Sequence, residues 1–419
     1  MFDQLSSEII KSAFLILALL QKNANRKKAH SKKSFMKFAL FLIMAVILVG
    51  CSSDNSTSTP AVEKHETQKA EFAIGFDFQE VNNVRYMRLF NLVGADRNCI
   101  LQVAHESLPN NQEVCPNIIV DSSGTFATLS TTHLSYFSRI SSLDQVTGTA
   151  YADWVKSPKA RMAIDSGDII DISGEKDVDF EKVVNLNVQA LLTYPYGNND
   201  YSLLEKAGVA IIPCSEYLEE HPLGRAEWIK VIGFLTGQES EAQKVFAQIR
   251  DEYIRLSALQ NRNEDQSVPE VFTGSHSNGM WYAPTKNSFI AQFIKDAGGH
   301  YLFENDPLTE NTAAGENLEM DFEEFMTKAA EADFWGKVVY EEDGLNYASI
   351  SQEDTRYEGL KAFQQSGIFY CNASTTDYFG DAMLEPHYIL KDLIHILHPG
   401  MLEGDSNYQS HYFKSLERE

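Results

Sequence analysis

The stretch ESEAQKVFAQIRDEYIRLSAL, residues 239–259, is the longest uninterrupted helical period in the chain. Ala242, Val245, Phe246, Ile249, Tyr253 and Leu256 recur at spacings of three and four, and neither Gly nor Pro breaks the run. A helix of roughly 20 residues is about 30 Å long. Polar QNRNEDQS (260–267) ends it. Before this helix, strand and helix patterns alternate. They run through FATLS (126–130), HLSYFSRISSL (133–143), a helix opened by Asp179, VQALLTY (188–194), YSLLEKAG (201–208), VAIIPCS (209–215) and AEWIKVIGFLTG (226–237). After it the alternation restarts: VFTGS (271–275), SFIAQFIKDAGG (288–299), MDFEEFMTKAAEA (320–332), KVVYEE (337–342), YEGLKAFQQSG (357–367), GIFYC (367–371) and HYILKDLIHIL (387–397). Such alternation builds mostly parallel sheets with helices on both faces. The fold class is therefore α/β, two lobes joined by one long rigid helix. Residues 71–120 read differently. FAIGFDF, VRYMRLFNLV and CILQVAH are Val/Ile/Phe-bearing runs separated by Asn, Gly and Asp, which predicts a small antiparallel β leader.

The N-terminal region carries an address. FALFLIMAVILVG (38–50) is apolar, follows a basic stretch, and is too short to span a bilayer comfortably. It ends in Leu48-Val49-Gly50-Cys51, which matches a bacterial lipoprotein signal and assigns Cys51 to lipidation. Met36 makes a tidier start for that signal than Met1. Ser52–Pro60 is polar and suits a flexible tether to a membrane. The expected plan is a signal peptide over 1–50, a tether over 51–70, the leader over 71–120 and a first lobe over 121–237. The connecting helix spans 238–262, the second lobe 268–402 and a tail 403–419.

Charge and cysteines narrow the partners. The chain carries a formal net charge of −24 and its first 50 residues are basic, so the body is more acidic still. That argues against nucleic acid and favours a basic docking partner. Cys99, Cys115, Cys214 and Cys371 remain in an exported, oxidising setting. Cys99 and Cys115 flank a hairpin and are able to pair, although four cysteines allow three connectivities. No CxxC, nucleophile elbow, P-loop or Rossmann glycine motif occurs, so neither a zinc ribbon nor an enzyme is expected.

The arrangement resembles the helical-backbone substrate-binding proteins of ABC importers for iron–siderophore complexes, haem and vitamin B12. The long helix 239–259, TTHLSYFSRISSLDQVTG (131–148), EYLEEHPLGRAEWIKVIGFLTGQESEA (216–242), MWYAPTKNSFIAQFIKDAGGHYLF (280–303) and PHYILKDLIHILHPGML (386–402) carry the resemblance over about residues 120–402. It implies a chain anchored in the cell envelope on the periplasmic face of a bacterial membrane, handing a small chelate to a permease dimer. The resemblance also implies that each lobe docks through one exposed Glu near a helix start. VDFEKVV (178–184) and MDFEEFM (320–326) place Glu181 and Glu323 there, where each would meet an Arg of the permease. Asp179 and Asp321 read as N-caps of the same helices.

Ligands of two-lobe α/β proteins lie at the carboxyl ends of the strands. The loops expected there are Ser130–His133, Tyr194–Gly197 and Ser215–Tyr217 in the first lobe. In the second they are Gly274–Ser277 through Trp281-Tyr282, Asn346-Tyr347 and Ser374–Phe379. Thr132, His133, Tyr194, Tyr196, Tyr217, His276, Trp281, Tyr282, Tyr347 and Tyr378 are the candidate ligand contacts. Aromatic walls with hydroxyl rims suit a large planar or chelate ligand. A ferric chelate of the siderophore type is the first expectation, with cobalamin or haem as alternatives and no intrinsic cofactor. Direct ligation of bare metal would use His133 and His276, but no His-rich or acidic loop supports it. Basic residues near the loops are few (Arg139, Lys156, Lys159, Arg161, Arg225), which argues against strongly anionic catecholates. The competing class is a surface lipoprotein that binds protein or glycan through the β leader.

Overall fold

The computed structural model describes residues 65–93, 98–108, 115–175, 178–195, 199–259, 267–309, 315–342, 344–402 and 408–418. Cys51, Tyr196 and the signal segment lie outside them. Apart from Asn199, the described residues belong to one compact unit, Glu63–Pro195 with Asp200–Glu419.

The leader is a five-stranded sheet in the order β1-β2-β3-β4-β5: His65–Lys69, Phe76–Val81, Val84–Phe90, Cys99–Ala104 and Asn117–Ile119. The first four strands run antiparallel and β5 pairs parallel to β4. A disulfide joins Cys99 to Cys115, while Cys214 and Cys371 are free and buried. Alternation turns Phe76, Phe78, Met87, Leu89, Leu101 and Val103 inward, and they join the main core. The segment between β1 and β2 is held by two carboxylates of the first lobe. Glu227, wholly buried, accepts the backbone N–H groups of Glu71, Phe72 and Ala73 at 2.8, 2.7 and 2.9 Å, and the Lys230 ammonium at 2.7 Å. Glu219 accepts the N–H groups of Ile74 and Gly75 and the Trp228 indole N–H, each within 2.8–3.1 Å. Burial pushes the Glu219 carboxyl up, although these donors favour its charged form.

The first lobe is an all-parallel sheet in the order β10-β9-β6-β7-β8, made of Phe126–Thr128 (β6), Val146–Thr149 (β7), Ile170–Asp171 (β8), Ala190–Thr193 (β9) and Ala210–Pro213 (β10). Leu191, Ala127, Val183 and Leu204 form a separate core on one face, while Phe126, Ala190 and Leu192 face the main core. Residues expected as one helix over 226–237 are two, Pro222–Glu227 and Ile229–Leu235.

The connecting helix runs Glu239–Ser257 and buries Ala242, Phe246, Ile249, Tyr253 and Leu256, five of the six positions that the period marks. It packs against Ile229–Leu235 of the first lobe and Pro386–Leu397 of the second. The second lobe holds a sheet in the order β14-β11-β16-β17-β18: Glu270–Thr273 (β11), His300–Tyr301 (β14), Phe334–Val339 (β16), Ile368–Asn372 (β17) and Lys414–Ser415 (β18). Only β18 is antiparallel. Residues expected as a cleft loop instead form a hairpin, β12 (Ser275–Ser277) and β13 (Met280–Pro284), which pairs with β15 (Asn317–Asp321). The C-terminal segment is tied down by Asp392, which accepts from the Tyr408 hydroxyl and from the N–H groups of His411, Tyr412 and Phe413. Mixed α/β lobes with parallel sheets, one long helix between them and a β leader are thus all present. No helix among the described residues is long and apolar enough to cross a membrane.

Candidate ligand cleft

The carboxyl ends of both parallel sheets meet along a seam. β6 runs into Ser130, whose side chain accepts the Thr132 N–H and opens the helix Thr131–Arg139. The Thr131 and Thr132 hydroxyls donate across the seam to the Phe379 carbonyl at 3.3 and 2.7 Å. β7 runs into Tyr151, whose φ of 55° turns the chain sharply and sends it through Trp154 to Lys156. The Lys156 ammonium donates to the Ser374 carbonyl at 2.5 Å and lies 5.7 Å from the Tyr340 ring centre. The Trp154 and Tyr340 rings, one from each lobe, stand 5.5 Å apart. Arg139 pairs with Glu385 at 2.6 Å, and the Tyr412 hydroxyl donates to the same carboxylate.

Large rings remain exposed at this seam. Tyr151, Trp154, Tyr340 and Phe379 are 38, 43, 40 and 58% exposed. Exposed aromatic surface bracketed by polar groups marks a recognition site. Asp377 lies behind Phe379, where burial pushes its carboxyl up to about 6, with Asp381 and Glu385 adding repulsion and Lys156 opposing it.

The residues expected from sequence are distributed unevenly. Thr132 is at the seam, and His133 lies just beneath it, wholly buried and 3.4 Å from Glu216. Tyr378 is buried beside Phe379 and lines a small apolar cavity of about 40 Å³, partly open to solvent, with Ile290, Phe293, Leu393 and Phe413. Tyr217 is partly buried and donates its hydroxyl to the Pro195 carbonyl, and Tyr194 packs on the first-lobe core. The remainder sit elsewhere in the second lobe. Trp281 is wholly buried, stacked on Phe325 at 3.7 Å. His276 stacks on Phe322 at 3.9 Å, and burial lowers its pKa. Tyr282 occupies the opposite face of β13 from Trp281 and Ala283, while Tyr347 packs on Phe363 beneath Arg418. Tyr151, Trp154 and Tyr340 were absent from the expected set. Trp154 occupies a single irregular turn with no period to reveal it; its signal was a large aromatic just past a strand end.

Both Asp-Phe-Glu helices form as expected. Asp179 caps Phe180–Asn185 by accepting the Lys182 N–H, and Asp321 caps Phe322–Ala329 by accepting the Glu323 N–H. Glu181 and Glu323 are both exposed in the first turn. Glu323 pairs with Arg356, which also holds Asp354. No group of three or more His, Cys, Asp or Glu side chains placed to hold a metal occurs among the described residues.

Residues 130–375 match the model of the family described as periplasmic binding protein. The chain belongs to that family. Its sequence is 26% identical over 271 residues to an uncharacterized lipoprotein of Methanocaldococcus jannaschii, covering 64% of this chain and 60% of that protein. Among solved structures, a periplasmic heme-binding protein of Pseudomonas aeruginosa superposes with a TM-score of 0.54 at 12% identity, covering 71% of this chain and 99% of the other. An ABC transporter substrate-binding protein of Listeria monocytogenes superposes with a TM-score of 0.50 at 15% identity, over 66% and 99%. At such identities the superpositions establish the fold. The family match begins at Ser130, beyond the β leader, and stops before the C-terminal segment.

Proposed function

We propose that this periplasmic binding protein is a lipid-anchored carrier that delivers a ferric chelate of the siderophore type to an ABC importer. The observation that carries the reading is the aromatic seam. Two parallel sheets direct their carboxyl ends at one another, and Trp154 and Tyr340 approach to 5.5 Å from opposite lobes. Rings of this kind cover the apolar face of a chelate while threonine hydroxyls and backbone carbonyls meet its rim. Haem or a corrinoid is the second reading, favoured by the exposure of four rings around one seam. Cys51 would carry the lipid, and residues 121–237 and 268–402 would act as the ligand lobes. Glu181 and Glu323 would meet the two permease subunits.

Tryptophan fluorescence of the full chain in detergent tests this. Titration with ferrichrome, a ferric catecholate, haemin, cyanocobalamin, Fe³⁺, Mn²⁺ and Zn²⁺ should give saturable quenching by one chelate or macrocycle. Trp154→Phe should remove most of the signal, and Trp154→Ala should weaken binding at least tenfold. A response to bare cations alone would move attention to His133. No response at all would return the protein or glycan reading and its β leader.

A further inference from the structure

The second-lobe sheet carries a pit beside the seam. Thr273 of β11, Gly336 of β16 and Phe369 of β17 stand side by side in the strand register. Gly336 brings no side chain to this row, and a Cβ there would come within 2.6 Å of the Phe369 ring, so bare backbone forms part of the floor. Phe293 of the helix Phe289–Asp296 and Leu393 of the helix Pro386–Leu397 line the walls. The Phe413 ring completes the enclosure, 5.8 Å from that of Phe369 and 6.0 Å from that of Tyr378. Phe413 belongs to the C-terminal segment, beyond the stretch that the family model covers. The cavity measures about 40 Å³. One water-sized atom needs about 10–15 Å³ of such space, so about three carbon atoms fit.

Three lining residues place the mouth. Thr273 ends β11, Val338 is the next-to-last residue of β16 and is 41% exposed, and Tyr378 follows β17 with its ring 5.2 Å from that of Phe379. All three lie at the carboxyl end of the sheet. That end also holds Phe379, whose carbonyl receives the Thr131 and Thr132 hydroxyls, and Tyr340, whose ring meets Trp154. Lys337 adds only backbone to the lining, because strand alternation carries its ammonium to the opposite face, 4.4 Å from the Trp335 ring centre and 3.3 Å from Glu353. The side-chain polar atoms left in the lining are the Thr273 and Tyr378 hydroxyls. Two hydroxyls cannot satisfy the waters that would fill this volume, whereas an apolar group needs no partner. We propose that the pit is a second-lobe subsite for a short, unbranched apolar arm of the carried ligand, up to about three carbons long. This rests on the carrier reading and narrows it to a chelate or macrocycle with alkyl or vinyl groups on its edge. The seam rings cover the ligand's face, and the pit reads its edge. Each methylene buried there raises affinity about fourfold, until one carbon too many must strain the packed walls or stay outside.

Homologous probes read that size limit. The full chain in detergent is titrated calorimetrically with ferrichrome analogues whose hydroxamate acyl group is formyl, acetyl, propionyl, butyryl or hexanoyl. A second series is deuterohaemin, haemin and mesohaemin, which carry hydrogen, vinyl and ethyl at the same two ring positions. In the series that binds, affinity should rise about fourfold per carbon, and among the hydroxamates it should turn down between butyryl and hexanoyl. Leu393→Ala lengthens the pit and should move the downturn to a longer chain, whereas Ile389→Phe fills it and should flatten either series. Affinity that is flat along the bound series, or that keeps rising through hexanoyl, overturns the inference and leaves the carrier reading standing. Failure of both series to bind also overturns the inference, and the fluorescence titration then decides the carrier reading separately. The series uses the unaltered protein, so the result stands even if a variant does not fold.

Discussion

The mount of the β leader makes a demanding prediction. In Glu227→Gln one carboxylate oxygen becomes an amide NH₂, which has nothing to accept. Oε1 serves Glu71 N–H and the Lys230 ammonium, and Oε2 serves Phe72 and Ala73 N–H, so either orientation of the amide turns a donor against two donors. Hydrogen bonds to charged groups contribute about 1.5–3 kcal/mol each, and stranding a buried partner costs more than the bond itself. Two bonds lost and two weakened, with Lys230 able to turn to Glu71, gives a destabilisation of about 3–5 kcal/mol. Opening of the leader should then rise by roughly two to four orders of magnitude. Hydrogen exchange followed by mass spectrometry would show it as lost protection at 71–75 and through β2 and β3, ahead of the lobes. The melting temperature should fall by about 5 °C for a chain of this size. Exchange at 71–75 within threefold of the unaltered protein, with an unchanged melting temperature, would refute the reasoning.

Two further outcomes follow from the seam and from the proposed docking role of the two Asp-Phe-Glu helices. Asp377 has its carboxyl raised to about 6 from an ordinary 3.8, so between those values the folded protein holds a proton that the unfolded chain releases. Stability should therefore fall as pH rises from about 4 to 6, by up to roughly 3 kcal/mol. Urea unfolding at pH 4.5 and 7 should show about 2 kcal/mol of this difference, and Asp377→Asn should shrink it; an unchanged difference in the variant counts against the assignment. Removal of Arg356 releases Glu323 from its internal partner. Arg356→Ala should strengthen capture by the cognate permease several-fold, whereas Glu181→Ala should weaken it, as read by surface plasmon resonance on reconstituted transporter.

The sequence revealed elements wherever period and burial coincide. Ala242, Phe246, Ile249, Tyr253 and Leu256 face the core as their spacing requires, and both Asp-Phe-Glu caps form. Short connected pieces were less visible. The end of Pro222–Glu227 and the seven residues of Ile229–Leu235 fall within what reads as one helix over 226–237, because each helix is shorter than two turns. Orientation was harder than existence. Trp281 and Tyr282 are chain neighbours, and alternation on β13 sends one into the core and leaves the other partly exposed. A loop assignment for 274–282 conceals that alternation. Trp154 and Tyr340 meet only because two lobes approach each other, a contact that no local pattern encodes.

The Asp392 knot bears on the order in which the chain assembles as it is made. Tyr408 through Phe413 complete their bonds with Asp392 only after the polypeptide has been made through residue 413. Tyr412 also holds Glu385, the carboxylate that receives Arg139 from the first lobe. The leader, by contrast, finds Glu219 and Glu227 as soon as residue 227 has been made. Synthesis thus delivers a mounted leader and first lobe early and the fastening of the seam last. A chain truncated anywhere before residue 408 would lack the bonds to Asp392 and Glu385 and present an unfastened seam to proteases.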